Sequence, residues 1–246
     1  MFDDAPYKIL PAKSNAPVFI FCDHATNHVP ANLHNLGLSG TDLCRHIAWD
    51  IGAETLTRQL CKTYGAAGLL AGFSRLVIDP NRTVGTQGSI PQSSDGTLIP
   101  GNQNLSAKAQ SERVDQLYTP YHNALAAQLD AAQESFVDPL IISIHSFTPE
   151  MANGQKRELD IGLLWKADPE RARRLKSEIE RIHPYRIELN QPYSALHLNH
   201  TIDYHVIARG LRHTTLEIRQ DLIDTEAKAL VMAKHLTKAL DHFIRH

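Results

Sequence analysis

The chain has 246 residues, 42% of them hydrophobic, enough to bury one full core, and residues 1–246 read as a single domain. Lys plus Arg number 25 against 27 Asp plus Glu, a formal charge of −2; this gives no broad attraction for nucleic acid or an anionic membrane and points to a small-molecule partner. The three cysteines Cys22, Cys44 and Cys61 cannot all pair within one chain and lack the CxxC spacing of a structural zinc site, so free thiols in a reducing cytoplasm are expected.

Val18 to Cys22 is the first apolar run, too short for a signal-peptide core or a membrane span. It reads as a buried strand, and the polar turn Asp23-His24-Ala25-Thr26-Asn27 follows at once, so His24 sits where a strand ends. Ser39 precedes a helical pattern from about Thr41 to Tyr64, with Leu43, Ile47, Ile51 and Leu56 recurring at helical steps and Gly65 as a stop. His46 and Asp50 then lie one turn apart on that helix. A second apolar stretch from Gly68 to Ile78 ends in Asp79-Pro80-Asn81-Arg82.

The segment from Thr83 to Ser106 is rich in Gly, Pro, Ser, Gln and Asn; a loop of this length inside a compact domain is usually functional, and it reads as an active-site loop. Ser106 to Glu134 is helical with a break or kink at Pro120. Pro139 to Ile144 is the clearest strand and runs directly into His145-Ser146. Asp160 to Trp165 and Arg186 to Leu189 read as strands, with a helix over Pro169 to Ile182 between them. Thr201 to Arg209 is helical, His213 to Ile218 is a strand, and Thr225 to Ile244 is the closing helix. Strands alternating with helices predict an α/β fold, a three-layer αβα sandwich with a mixed, largely parallel central sheet.

Three of these strands end in ionisable residues: His24, His145 and Glu217. In a largely parallel sheet such ends gather along one rim, where residues far apart in sequence converge. A catalytic zinc takes three protein ligands and keeps one position open, with imidazole and carboxylate as common donors. His24 and His145 fit two places; Asp50 is the preferred third ligand, and Asn27 is the alternative with the poorer donor. A histidine at a strand end is more often a hydrogen-bonded structural residue than a ligand, so spacing alone does not assign the metal. Glu217 lies in an otherwise apolar strand, and a buried carboxylate is either paired or chemically active; as a general base it would move a proton from water to a leaving amine. Asn81 and Arg82, with Arg75 and Arg219, could hold a substrate carboxylate, since a guanidinium fork binds it in bidentate fashion. The plainer alternative is a set of surface ion pairs.

The runs FCDHATNHVP, HIAWDIGAE, FSRLVIDPNR, IISIHSFTPEMANGQKRELDIGLLW, NQPYSA and LEIRQDLI resemble, in the same order and over nearly the whole chain, the N-formylglutamate amidohydrolase family, which is in turn similar to zinc carboxypeptidases. The resemblance implies the zinc-exopeptidase type of αβα fold. It implies Zn2+ as cofactor on His24 and His145, with Ser146 following the second ligand at the substrate site. Asn81 and Arg82 would bind the substrate carboxylate, Glu217 would be the base, and Arg219 would support the substrate or transition state. Carboxypeptidases place a Glu three residues after the first ligand histidine, where this chain has Asn27, so the third ligand stays open between Asp50 and another group. The loop carrying Pro100-Gly101-Asn102 and the NQPYSA segment with Tyr193 are expected to shape the pocket, Asn102 and Tyr193 as contacts. The implied reaction is hydrolysis of N-formylglutamate to formate and glutamate in the cytoplasm. A related N-acyl amino acid deacylase, a carboxypeptidase-like hydrolase of different substrate, and a catalytically silent binding protein are the alternatives.

Overall fold

In the computed structural model, which describes residues 5–166, 168–196 and 199–245, the apolar runs pair into a seven-stranded sheet. The elements in chain order are β1 (Tyr7–Leu10), β2 (Val18–Cys22), α1 (Gly40–Leu43), α2 (Ala53–Tyr64), β3 (Ala67–Ala71), a small hairpin of β4 (Ser93–Ser94) and β5 (Thr97–Leu98), α3 (Ala107–Arg113), α4 (Thr119–Ser135), β6 (Leu140–Phe147), β7 (Ile161–Leu164), α5 (Pro169–Ile182), β8 (Ile187–Leu189), β9 (Arg212–Arg219) and α6 (Glu226–Arg245). The sheet order is β1-β3-β2-β6-β9-β7-β8. β3, β2, β6 and β9 run parallel; β7 and β8 are parallel to each other but oppose β9, and β1 is an antiparallel edge.

Alternation along the strands supplies both faces. Val18, Ile20 and Cys22 pack with Leu56, Leu60, Leu175 and Leu236, while Phe19 and Phe21 pack with Tyr121, Leu125, Ile202 and Val206. Thus α2, α5 and α6 cover one face and α4 with the helical turns at Ile202–Arg209 cover the other, giving the αβα sandwich with a mixed, largely parallel sheet. Covering on both faces explains why the central strands read as unbroken apolar runs. Among the described residues no helix is long and apolar enough to cross a membrane.

Two expectations need correction. The helix anticipated over 41–64 is two helices separated by the bend at 44–52. Ile47 and Leu56 belong to cores on opposite faces of the sheet, so their helical spacing does not mark a common stripe. Gly52, at φ +81°, turns the chain into α2, and a Cβ there would lie 2.2 Å from the Ile223 carbonyl oxygen. Asp50 therefore sits on a turn, not one helical turn from His46. Of the apolar stretch to Ile78, the part to Ala71 belongs to strand β3 and the rest runs through largely buried turns. Second, the helical path through Pro120 is not broken but widened, the Thr119 N–H reaching back to the Val114 carbonyl. Proline's missing donor just beyond makes this a natural place for an extra residue in the turn.

Candidate active site

The parallel strands β2 and β6 bring their C-terminal ends to the same rim as that of β9. Register places His145 beside Glu217 on β6 and β9, and His24 follows the end of β2 by two residues. On the other side of β9, Gly162 of β7 faces Glu217. A Cβ at Gly162 would stand 1.9 Å from the Gln191 carbonyl oxygen and 3.2 Å from the Glu217 Cβ, so this close approach requires glycine.

Asp50 reaches the same place from the turn. Its N–H donates to the His24 carbonyl at 2.9 Å, and its Oδ2 lies 2.8 Å from His145 Nδ1, 3.3 Å from His24 Nδ1 and 3.2 Å from the Ser146 N–H that donates to it. One donor atom from each of His24, Asp50 and His145 falls within 4.8 Å of the others, and all three residues are buried. A second carboxylate backs each histidine. His24 Nε2 lies 2.8 Å from Asp79 Oδ1, and His145 Nε2 lies 3.6 Å from Asp23 Oδ2.

This donor set fits a divalent cation. Asp23, Asp50 and Asp79 are each 3% exposed or less, and Arg75 reaches two of them, Asp79 at 2.8 Å and Asp50 at 3.5 Å. Without a metal, the histidines must carry the balancing charge. Burial opposes charging of His145, yet Asp23 and Asp50 outweigh it and hold the imidazole well above its ordinary range. Burial likewise opposes ionisation of Asp50, but the two histidines hold it below the usual carboxylate range. Two imidazoles, each backed by a further carboxylate, and a carboxylate shared between them could hold a metal ion.

Glu217 borders this group. Burial pushes its carboxyl up to about 7, and its Oε2 has no hydrogen-bond partner. Beside it opens a cavity of about 280 Å³, lined by all four of these groups and by Arg75, Asn81, Arg82, Ser146 and Tyr193. Arg82 donates to the Asn81 carbonyl at 2.7 Å, and among the described residues no carboxylate pairs with it. Asn81 is fixed by the Thr201 N–H on its Oδ1 at 3.0 Å. Ser146 donates to the Ile51 carbonyl at 2.9 Å. The Tyr193 hydroxyl accepts from Arg157 at 3.1 Å.

Two anticipated contacts lie elsewhere. Asn102 is outside the cavity and fully engaged: its Nδ2 donates to the Leu76 and Pro91 carbonyls at 2.8 and 2.7 Å, and its Oδ1 accepts from the buried Arg113 at 2.7 Å. It organises the long loop from beneath. Arg219, at the end of β9, turns away to Asp160 at 2.9 Å and Asp221 at 2.7 Å, because its strand outruns β7 and leaves those acids beside it. Asn27, the alternative third ligand, donates to the Leu43 carbonyl at 2.9 Å and is not among the residues lining the cavity.

Other residues at the site carried no assignment from sequence. Asp23 and Asp79 each adjoin a motif residue, and an acid at the end of a buried strand or stretch was the available signal. His46 and Asp95 line the cavity without one. Asp95, at the tip of the β4–β5 hairpin, approaches His46 and Arg45 at 3.4 Å and accepts from the Ala152 N–H at 3.2 Å, so the hairpin is tied down as a wall of the cavity.

Comparison with known proteins agrees with this architecture. Residues 16–224 match the family model described as N-formylglutamate amidohydrolase. Over 189 residues the chain is 25% identical to the N-formylglutamate deformylase of Pseudomonas putida, covering 71% of this chain and 70% of that protein. The crystal structure of gene product Atu2144 from Agrobacterium tumefaciens superposes with a TM-score of 0.90 at 30% identity, covering 98% of this chain and 96% of that one. The N-formylglutamate amidohydrolase of Ralstonia eutropha JMP134 shares the fold, with a TM-score of 0.73 at 20% identity over 98% of each chain. The chain belongs to the N-formylglutamate amidohydrolase family.

Proposed function

We propose that this protein is a zinc-dependent amidohydrolase that cleaves N-formyl-L-glutamate to formate and L-glutamate. The observation that carries the reading is the meeting of His24, Asp50 and His145 with Glu217 and Arg82 around one cavity, in a chain of this family. His24, Asp50 and His145 would hold the ion, which when bound supplies Lewis acidity toward the amide carbonyl and toward water.

The protein's own groups do the rest. Arg82, free of any carboxylate partner among the described residues, binds the substrate α-carboxylate in fork geometry, with Asn81 beside it. Arg75, already committed to Asp79 and Asp50, adds positive potential at that end. Ser146 and Tyr193 border the bound substrate. Glu217 takes a proton from the attacking water and returns it to the amine nitrogen as the C–N bond breaks. A carboxyl pushed up to about 7 by burial is matched to both halves of that transfer, and a cation at the neighbouring donors would draw it down toward the ionised form.

The test is formate release from N-formylglutamate by zinc-loaded protein, alongside the N-acetyl and N-succinyl analogues and N-formyl derivatives of neutral amino acids. Turnover fastest on N-formylglutamate is expected. Fast turnover of an analogue with none of N-formylglutamate would reject the named substrate but keep the hydrolase. Zinc bound with no turnover of any member would favour a binding protein.

A further inference from the structure

The two histidines of the donor group are supported differently. Behind His24 stands Asp79, whose other contacts are Arg75 at 2.8 Å and the Asn81 N–H at 2.8 Å, so that support belongs to the segment carrying Asn81 and Arg82. Behind His145 stands Asp23, which belongs to neither the cavity lining nor that segment. Asp23 is 1% exposed, and its Oδ1 accepts from the Tyr121 hydroxyl of α4 at 2.7 Å. Tyr121 is itself fully buried and packs edge-on against Phe73, with ring centroids 6.4 Å apart. The remaining oxygen, Asp23 Oδ2, and the remaining imidazole nitrogen, His145 Nε2, face each other at 3.6 Å, and neither has a hydrogen-bond partner. A buried orphan acceptor opposite a buried orphan ring nitrogen is costly unless the two are partners in the working state.

We propose that Asp23, held by Tyr121, is the positioning residue for His145: it receives the Nε2–H and thereby keeps the Nδ1 lone pair directed at the space shared with Asp50 and His24. This rests on the metal reading of that group. The buried hydroxyl of Tyr121 has no carboxylate other than Asp23 to serve among its hydrogen bonds, so it can only donate there, and Asp23 is left with one oxygen to offer. Helix α4 on the opposite face of the sheet thus sets the direction of a ligand on β6.

The chemistry makes Asp23→Asn informative. If the new amide keeps its oxygen on Tyr121, its NH2 faces His145 and selects the tautomer with the proton on Nδ1, the atom needed by the metal. If it flips, its NH2 donates to the Tyr121 oxygen and the buried hydroxyl proton is left without an acceptor. Removing that hydroxyl frees the flip. Zinc affinity should be measured by competition with a chromogenic chelator for wild type, Asp23→Asn, Tyr121→Phe and the double variant, with melting of each metal-free protein to verify the fold. Asp23→Asn should lose about 10–100-fold in affinity, Tyr121→Phe less, and the double variant should bind more tightly than Asp23→Asn alone. A merely structural role predicts instead that the second substitution makes matters worse.

A spectroscopic readout accompanies it. In the cobalt-substituted protein each ligand histidine should give one exchangeable, hyperfine-shifted N–H proton signal, and one of the two should be lost to solvent exchange in Asp23→Asn. Equal zinc affinity and unchanged signals in wild type and Asp23→Asn would overturn the proposal alone; a wild type that binds no zinc would overturn the metal reading beneath it. Should Asp23→Asn fail to fold, Tyr121→Phe decides: weakened zinc binding with unaltered melting of the metal-free protein supports the proposal, and unweakened binding overturns it.

Discussion

Glu217 and Asn102 are both buried polar residues that the sequence offered for the site, and the structure separates them by what their side chains touch. Glu217 keeps an unpartnered oxygen at the cavity. Replacing it with Gln should lower kcat by about 10²–10⁴-fold while bound zinc, measured by plasma mass spectrometry, stays near wild type. Undiminished kcat would remove Glu217 from the mechanism. Asn102 instead satisfies two carbonyls and Arg113. Asn102→Ala leaves those groups bare and should cost about 1–3 kcal/mol of stability per unsatisfied buried group, read from urea unfolding, with KM unchanged. A raised KM at unaltered stability would restore its substrate role. Both residues were visible in sequence as polar letters among apolar ones, but only hydrogen-bond saturation distinguishes a reactive group from a scaffold.

Helix α4 and the helical turns at Ile202–Arg209 meet through a buried histidine pair. His122 Nε2 lies 3.0 Å from the Pro80 carbonyl, and its Nδ1 lies 2.7 Å from His205 Nε2. The carbonyl can only accept, so His122 donates there; with both rings neutral its Nδ1 accepts the His205 Nε2–H, and the shared bond bars both rings from being protonated together. Burial pulls each imidazole from 6.5 down to about 4. The sign follows: above pH 6.5 neither state binds these protons and stability is unaffected. Between 6.5 and 4 the unfolded chain takes them up and the native protein does not, so stability falls as pH falls, by at most about 1.4 kcal/mol per pH unit for each group. Below 4 the slope flattens. Urea unfolding between pH 7 and 5 should therefore show a shallower pH dependence in His205→Gln than in wild type; parallel profiles would mean the pair is not neutral in the native state. Nothing in the spacing of His122 and His205, 83 residues apart, announced this pairing. By contrast α5 was read at its observed bounds, since Asp168 caps the Arg171 N–H and Pro169 opens the helix, and such signals are local.

Across the whole molecule the donor group ties two strands and the turn before α2 to one point, so metal binding should stabilise the fold without creating it. Chelation should abolish hydrolysis and lower Tm while the protein stays folded, because both cores lie clear of the donor group. A ligand present at 1,000 times its Kd contributes about 4 kcal/mol, a shift that circular-dichroism melts with and without chelator would resolve. Loss of all structure on chelation would make the metal a folding nucleus instead.

The sequence by itself determined the sandwich and the rim: apolar runs bounded by polar turns, periodic helices with their caps, and ionisable residues at the ends of β2, β6 and β9. These are local properties, carried by period, propensity and capping within a few residues. The tertiary structure alone decided that Asp50 meets both histidines, the disengagement of Asn102 and Arg219 from the cavity, and the carboxylates standing behind each histidine. Asp50 meets His24 and His145 across 26 and 95 residues of chain, by way of a bend that helical periodicity concealed. Distance and hydrogen-bond saturation between remote segments depend on how whole layers pack, and no local pattern records them.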